Sequence, residues 1–208
     1  QSLSRGLGDV YKRQPMSRHI SDRFSAPGPK RMLALDGGGT RGIISIAFLK
    51  KIEATLQRKL GRGDDFVLSD YFDMIGGTSV GSILATMLAL GWRVEKVEQT
   101  FTSWAPQVFK RIASFNDRYD AAALSRKIWE VVERETLSPD KLRTGLCIVA
   151  KRADTNSTWV MTNNPHGRYF DGDGNTIANG DYLLHDVIRA STAAPTLFSP
   201  KEIEINAW

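Results

Sequence analysis

The fold is decided by residues 71–91, which read YFDMIGGTSVGSILATMLALG. The short apolar run at 71–75 predicts a buried strand. Glycines follow it, and residues 83–90 are apolar all round, as is typical of a helix buried at the centre of a domain. Residues 74–92 carry no charge, but the glycines and serines that interrupt them favour strand, turn and helix over a membrane span. This order of elements predicts one unit of a parallel α/β sheet.

A second unit of the same kind lies upstream. Residues 31–35 are largely apolar and run into Asp36 and three glycines, which predicts a second buried strand that ends in a tight turn. Apolar residues then recur at three- and four-residue steps, which predicts an amphipathic surface helix. We expect its buried face to comprise Ile44, Phe48, Leu49, Ile52, Leu56 and Leu60.

Strand and helix patterns continue to alternate along the chain. Helical patterns cover 93–108, 121–137 and 183–190, and strand patterns cover 146–150 and 159–161, with one more strand starting at 203. The alternation predicts a three-layer α/β/α domain with a central, mostly parallel sheet.

Composition and charge limit the class of protein. The chain has 208 residues, of which 41% are hydrophobic and 25% charged, with one cysteine, so disordered and disulfide-scaffold classes are excluded. The net charge of +5 includes no basic run that indicates nucleic-acid binding. No signal-peptide pattern is present at the start of the sequence, which predicts a cytoplasmic protein.

The first residues differ in character from the rest. Residues 9–14, DVYKRQ, are the translation of the string GATGTGTATAAGAGACAG, which resembles a sequencing adapter. We therefore interpret residues 1–15 as a non-native leader, 16–29 as a disordered segment and 30–208 as the folded domain.

The first candidate site is the turn that follows the strand at 71–75. It matches G-x-S-x-G, the pattern of a nucleophile elbow, in which a serine occupies the apex of a strained turn between strand and helix. Glycines on both sides avoid clashes, and the hydroxyl is exposed at the positive end of the helix dipole. The sequence predicts Ser79 as the nucleophile, in an elbow formed by Gly77, Thr78, Val80 and Gly81.

The second candidate site is the turn at 37–42, which matches G-x-G-x-x-G. A dinucleotide site needs an acidic residue about twenty positions further on, at the end of a second strand. That position falls inside the predicted helix, so we reject this interpretation. Backbone N–H groups freed by glycine at a helix N-terminus are suited to stabilise a developing oxyanion.

These two turns, DGGGTRG at 36–42 and GTSVG at 77–81, together with ASTAAPTLFSP at 190–200, resemble the patatin-like phospholipases. The resemblance covers residue 30 to the C-terminus. It implies a patatin-like fold, a Ser–Asp dyad with Ser79 as nucleophile, and a lipid or phospholipid substrate met in transient contact with a membrane surface. It implies neither a cofactor nor a metal. The oxyanion hole that it implies comprises Gly37, Gly38, Gly39, Thr40, Arg41 and Gly42.

Two details stay open in this interpretation. Arg41 either stabilises the oxyanion turn or contacts a phosphate, or else it forms an ordinary surface ion pair. The aspartate of the family lies in a D-G-G or D-G-A motif soon after the segment at 190–200, and no such motif occurs in 198–208. We therefore expect the chain to end before its general base, so that this fragment is inactive whereas the parent protein is a lipid acyl hydrolase.

Three other functions remain as alternatives. The first is an ordinary hydrolase triad of Ser79, His185 and either Asp171 or Asp173. The second is a sugar kinase of the actin-like fold, which LALDGGGT at 33–40 also resembles. The third is a lipid-binding module without turnover. An intact aspartate motif further along the gene distinguishes the enzyme from the module.

Overall fold

The computed structural model describes residues 20–111, 119–137, 141–167, 169–170 and 178–204. In these ranges the helices are α1 Ile20–Ser25, α2 Gly42–Lys59, α3 Leu68–Tyr71, α4 Val80–Ala89, α5 Val94–Val108, α6 Ala121–Val132 and α7 Leu184–Ser191. The strands are β1 Met32–Leu35, β2 Met74–Thr78, β3 Gly145–Lys151 and β4 Thr158–Thr162. Short 3-10 turns occupy Gly39–Arg41 and Asn179–Asp181.

The four strands form one sheet in the order β1-β2-β3-β4. The pairs β1–β2 and β2–β3 are parallel, whereas β4 runs antiparallel to β3. Leu35 lies opposite Gly77, and Thr78 lies opposite Val149, so the carboxyl ends of the three parallel strands meet at one edge. Both glycine-rich turns leave the sheet at this edge, which is where open α/β sheets bind ligands. The predicted α/β class with a mostly parallel sheet is confirmed.

Helix α4 lies at the centre of the domain. Every one of its residues is buried, and the helix packs against β1, β2 and β3. This burial explains why the sequence is apolar on all sides of the helix. The uncharged stretch at 74–92 is divided between β2 and α4. Within the described ranges, no helix has both the length and the apolar character needed to cross a membrane.

The buried face of α2 agrees with the prediction in part, since Leu49 is buried and Ile52, Leu56 and Leu60 pack against the core, but Ile44 and Phe48 do not belong to it. Ile46 and Leu49 are buried, whereas Ile44 is 55% and Phe48 68% exposed. The helix packs against α5, and this contact covers only one face of α2. Apolar residues occur on more than one side of α2, so their periodicity alone did not exclude Ile44 and Phe48 from the buried face.

Several element boundaries also differ from the sequence expectation. Tyr71 belongs to α3, and β2 runs from Met74 through both glycines to Thr78, where the prediction ended at 75. Helix α6 ends at Val132, five residues earlier than expected, and residues 203–204 are not in a strand. The predicted leader lies outside the described residues.

The segment predicted to be disordered contains a helix. Within 16–29, residues 20–25 form α1, and the side chain of Ile20 is buried. The Arg23 guanidinium donates to the carbonyls of Ser69 and Phe72 at 2.7 and 3.0 Å. The short helix is thus docked by the apolar side chains of Ile20 and Phe24 and by hydrogen bonds to backbone carbonyls that a charge-rich sequence pattern does not reveal.

A buried carboxylate connects α2 to α5. Glu53 is 6% exposed, and its two carboxylate oxygens accept from the N–H of Val94, the first residue of α5, at 3.3 and 3.2 Å. The contact satisfies an N–H group that the helix itself leaves unpaired. Burial raises the pKa of Glu53 above its ordinary value of 4.5, although the Val94 N–H and the charge of Arg93 act in the opposite direction.

We expect Glu53→Gln to change the pH dependence of stability. Because the pKa is higher in the folded state, the folded protein binds the proton more tightly, and its free energy of unfolding falls as the pH rises from 4.5 through the raised pKa. The glutamine does not titrate, so the variant gains stability relative to the wild type over that interval. Urea unfolding at a series of pH values measures the difference. Glu202→Gln, which removes an exposed carboxylate, is the control, and parallel profiles for wild type and Glu53→Gln contradict the expectation.

Candidate active site

Ser79 occupies a strained turn between β2 and α4. Its backbone has φ 54° and ψ −126°, a conformation that residues with a side chain rarely adopt. Such a conformation costs about 1–3 kcal/mol and persists only where the surrounding structure enforces it. The strand–turn–helix context that gives the G-x-S-x-G motif its meaning is therefore present around Ser79.

Gly81, the second residue after Ser79, allows α4 to begin directly against the end of β1. A Cβ atom on Gly81 would lie 2.0 Å from the carbonyl oxygen of Leu35 and 2.8 Å from that of Asp36. Both obstacles are backbone atoms at the carboxyl end of β1, and no rotation of a side chain relieves the contact. Only glycine fits here, and the turn after β2 is pressed against the end of β1.

The glycine turn after β1 lies beside Ser79. A Cβ atom on Gly37 would be 2.9 Å from the Ser79 Cβ and 3.7 Å from its Oγ. Gly37 and Gly38 are exposed, as are Thr40 and Arg41, so this side of the serine is open to solvent. The structure thus brings together the two turns that the sequence singled out, on adjacent strands and within contact distance.

The electrostatic character of this edge favours an anion. Helices α2 and α4 both begin here, since a Cβ on Gly42 would lie 2.6 Å from Cγ1 of Val80. Two helix N-termini supply partial positive charge. Among the described residues, no acceptor takes the backbone N–H of Gly37 or Gly38. These donors are available to a group that binds beside Ser79.

Two other serines hold the backbone of Ser79. Its N–H donates to Ser191 Oγ at 2.9 Å, and its carbonyl oxygen accepts from Ser82 N–H at 2.9 Å and from Ser82 Oγ at 2.6 Å. The sequence interpretation did not assign Ser191 a role. It lies in the segment at 190–200 that carried the family resemblance, and this was the available signal.

The Ser79 hydroxyl is not hydrogen-bonded to any residue in the part of the chain that the structure describes. His185 contacts a different serine: its Nε2 is 2.7 Å from Ser125 Oγ, and its Nδ1 is 2.8 Å from Asp186 Oδ1. Both ring nitrogens are thus occupied, which disfavours the triad of Ser79 and His185. Asp171 and Asp173 lie outside the described residues.

Metal-ligating side chains and the cysteine are the other groups considered for chemistry. Across the described ranges, no group of three or more His, Cys, Asp or Glu side chains is placed to hold a metal ion. Burial raises the pKa of the Cys147 thiol above 9.0, so this residue of β3 stays protonated at neutral pH and is a poor nucleophile.

The parallel sheet and the paired turns define an α/β protein with a serine site at the carboxyl edge of its strands. The sequence model of the family described as patatin-like phospholipase matches residues 33–208. The chain therefore belongs to the patatin-like phospholipase family, as the sequence motifs predicted.

Individual relatives agree with this assignment. The chain is 33% identical over 184 residues to a cGAMP-activated phospholipase of Vibrio cholerae serotype O1, covering 82% of this chain and 49% of the relative. It is 29% identical to Patatin group D-2 of Solanum tuberosum, covering 84% and 45%. The chain thus spans about half the length of these relatives.

A solved structure shows the same fold. VipD from Legionella pneumophila superposes with a TM-score of 0.50 at 12% identity, covering 97% of this chain and 51% of that one. At this level of identity the likeness concerns the fold and not the reaction.

Proposed function

We propose that this chain supplies the nucleophile and the oxyanion-binding turn of a phospholipase that hydrolyses an acyl ester of a lipid. The observation that carries the proposal is the approach of Gly37 to Ser79 at the carboxyl edge of β1 and β2. A serine nucleophile requires backbone donors next to it, and this edge offers both in a chain of the patatin-like phospholipase family.

The reaction follows from these positions. Ser79 Oγ attacks the ester carbonyl and transfers its proton to a general base, and the N–H groups of the glycine turn stabilise the tetrahedral oxyanion. As this intermediate collapses, the protonated base gives its proton to the leaving oxygen, so the alcohol departs and an acyl-enzyme remains, which water hydrolyses to release the fatty acid. In other enzymes one such donor accounts for about 10²–10³ in rate.

The general base in this proposal is an aspartate, as the family resemblance implies. No described carboxylate bonds to Ser79, in keeping with an aspartate located elsewhere in the full-length protein. We therefore propose that Ser79 hydrolyses lipid poorly wherever this aspartate is missing, since a serine without a base is a weak nucleophile. Neither metal nor organic cofactor enters the reaction.

The substrate proposal rests on the relatives and on the exposure of the site. Several relatives are phospholipases by name, and the glycine turn is open to solvent. A phospholipid is held in a membrane or micelle, so the enzyme must contact a lipid surface at least transiently. Arg41 is exposed in the turn, and we propose that it contacts the phosphate of the lipid.

Fatty-acid release tests the proposal against its alternatives. Full-length protein is incubated with mixed micelles of phosphatidylcholine, and released fatty acid is measured alongside covalent labelling by a fluorophosphonate. We expect both release and labelling. Binding to vesicles with neither result favours the module without turnover. ATP-dependent phosphorylation of a sugar favours the kinase, although α2 follows the glycine turn where a kinase of that fold continues into a hairpin.

A further inference from the structure

A side chain at the end of α7 joins the strained turn to the sheet. Ser191 Oγ accepts from the Ser79 N–H at 2.9 Å and donates its one hydrogen to the Val149 carbonyl at 2.6 Å. Val149 lies opposite Thr78, the last residue of β2. The bridge therefore forms one residue beyond the end of the ladder between β2 and β3, where the chain leaves the strand.

The backbone of Ser79 is held at both of its polar groups, and its side chain is not. Ser191 binds the N–H, whereas Ser82 binds the carbonyl oxygen from within α4. The Ser82 contact belongs to the first turn of the helix, so it is local. The Ser191 contact comes from a residue 112 positions away and is the one that ties the turn to a separate part of the fold.

We propose that Ser191 is a positioning residue, whose hydroxyl holds the Ser79 peptide in the conformation that directs Ser79 Oγ toward the glycine turn. This inference rests on the proposed function, in which Ser79 is the nucleophile. Removing the hydroxyl leaves the N–H of Ser79 without an acceptor at a half-buried position. The backbone then relaxes toward a negative φ, and the Oγ moves away from Gly37.

The bridge also narrows the choice of oxyanion donors. The N–H of Ser79 is engaged by Ser191 and is therefore not offered to a substrate oxygen. Gly37 and Gly38, by contrast, donate to no described acceptor. The role of Ser191 is thus to hold the nucleophile in position, while the N–H groups of the glycine turn stabilise the negative charge that develops on the substrate oxygen.

The test compares Ser191→Ala with a matched change at the next residue. Thr192, the residue that follows α7, is buried, and its Oγ1 donates to the Arg189 carbonyl of that helix at 3.0 Å, so Thr192→Val removes one hydroxyl at the end of α7 without touching the turn. Hydrogen exchange at the Ser79 amide is followed by NMR in the full-length protein. We expect Ser191→Ala to accelerate it about ten-fold and Thr192→Val to leave it unchanged.

A kinetic measurement accompanies the exchange measurement. A misplaced nucleophile lowers the rate of the chemical step more than it weakens substrate binding. We therefore expect the rate of fluorophosphonate labelling to fall about 10–100-fold in Ser191→Ala, and kcat to fall while KM stays nearly constant. Thr192→Val is expected to label at the wild-type rate. Ser191→Cys fills the same space with a weaker hydrogen-bonding group, and we expect intermediate exchange and labelling.

The outcomes separate the two proposals. Unchanged Ser79 exchange in Ser191→Ala, or equal acceleration in Thr192→Val, overturns the positioning role. If Ser191→Ala does not fold, wild-type exchange in Ser191→Cys overturns it instead. Labelling that persists in Ser79→Ala overturns the proposed function, whereas the exchange result at the Ser79 amide still reports on the bridge alone.

Discussion

Ser79→Ala is expected to abolish covalent labelling by a fluorophosphonate and to lower fatty-acid release by about 10⁴-fold or more in the full-length protein. The substitution removes the only atom of this residue that can attack a carbonyl. The hydroxyl makes no hydrogen bond with a described residue, so its loss is expected to change the free energy of unfolding by no more than about 0.5 kcal/mol. The measurements are labelling followed on a gel, fatty-acid release from phospholipid micelles, and urea unfolding.

A surface serine provides the control for this experiment. Ser103 lies in α5, and its Oγ donates to the Thr100 carbonyl of the same helix at 2.8 Å. Ser103→Ala removes a hydroxyl far from any role in the reaction and is expected to retain full labelling and release. Labelling that survives in Ser79→Ala, at a rate like that of Ser103→Ala, removes Ser79 from the mechanism.

Gly81→Ala is expected to destabilise the fold by about 3–5 kcal/mol, at the upper end of single-substitution effects. The new methyl group would lie 2.0 Å from the Leu35 carbonyl oxygen, which belongs to the end of β1. Relief of that overlap requires α4 to move away from the strands on which it packs, and α4 is entirely buried. Urea unfolding followed by circular dichroism measures the loss, and a loss of expression as soluble protein is its extreme form.

Gly38→Ala is the matched control, because it adds the same methyl group in the neighbouring turn. Its nearest contact would be the Arg41 Cβ at 3.4 Å, an ordinary van der Waals distance that leaves room for the methyl group. We expect its free energy of unfolding to stay within about 1 kcal/mol of the wild type. Equal stability of Gly81→Ala and Gly38→Ala contradicts the close contact of Gly81 with β1.

The sequence predicted the α/β class and the family because glycine-rich turns clearly mark the ends of its first two parallel strands. Three glycines after one strand, and a G-x-S-x-G after the next, leave few alternatives for the local chain path. Strand β2 was placed too early because its own glycines have low strand propensity. In the structure both glycines lie inside the strand. Gly77 accommodates the close approach of α4, since a Cβ there would lie 2.2 Å from the carbonyl oxygen of Gly81, whereas Gly76 faces Cys147 of β3.

Other features depended on tertiary contacts that no local pattern contains. Ile44 and Phe48 carry helical periodicity as well as Leu49 does, and only the position of α5 decides which of them is buried. The bridge from Ser79 to Ser191 joins residues 112 positions apart through a single hydroxyl. A motif indicated that the segment around Ser191 matters, but not which atom of the site it contacts.

The contact between Gly37 and Ser79 has a consequence for attempts to alter substrate range. A library that randomises residue 37 alone will return almost only glycine, because any other side chain is driven into the serine. The exposed positions Thr40 and Arg41 meet no such obstacle and are where sequence diversity is best introduced. Under the proposed function, head-group selectivity is therefore expected to respond to changes at Thr40 and Arg41, whereas Gly37 has to be kept.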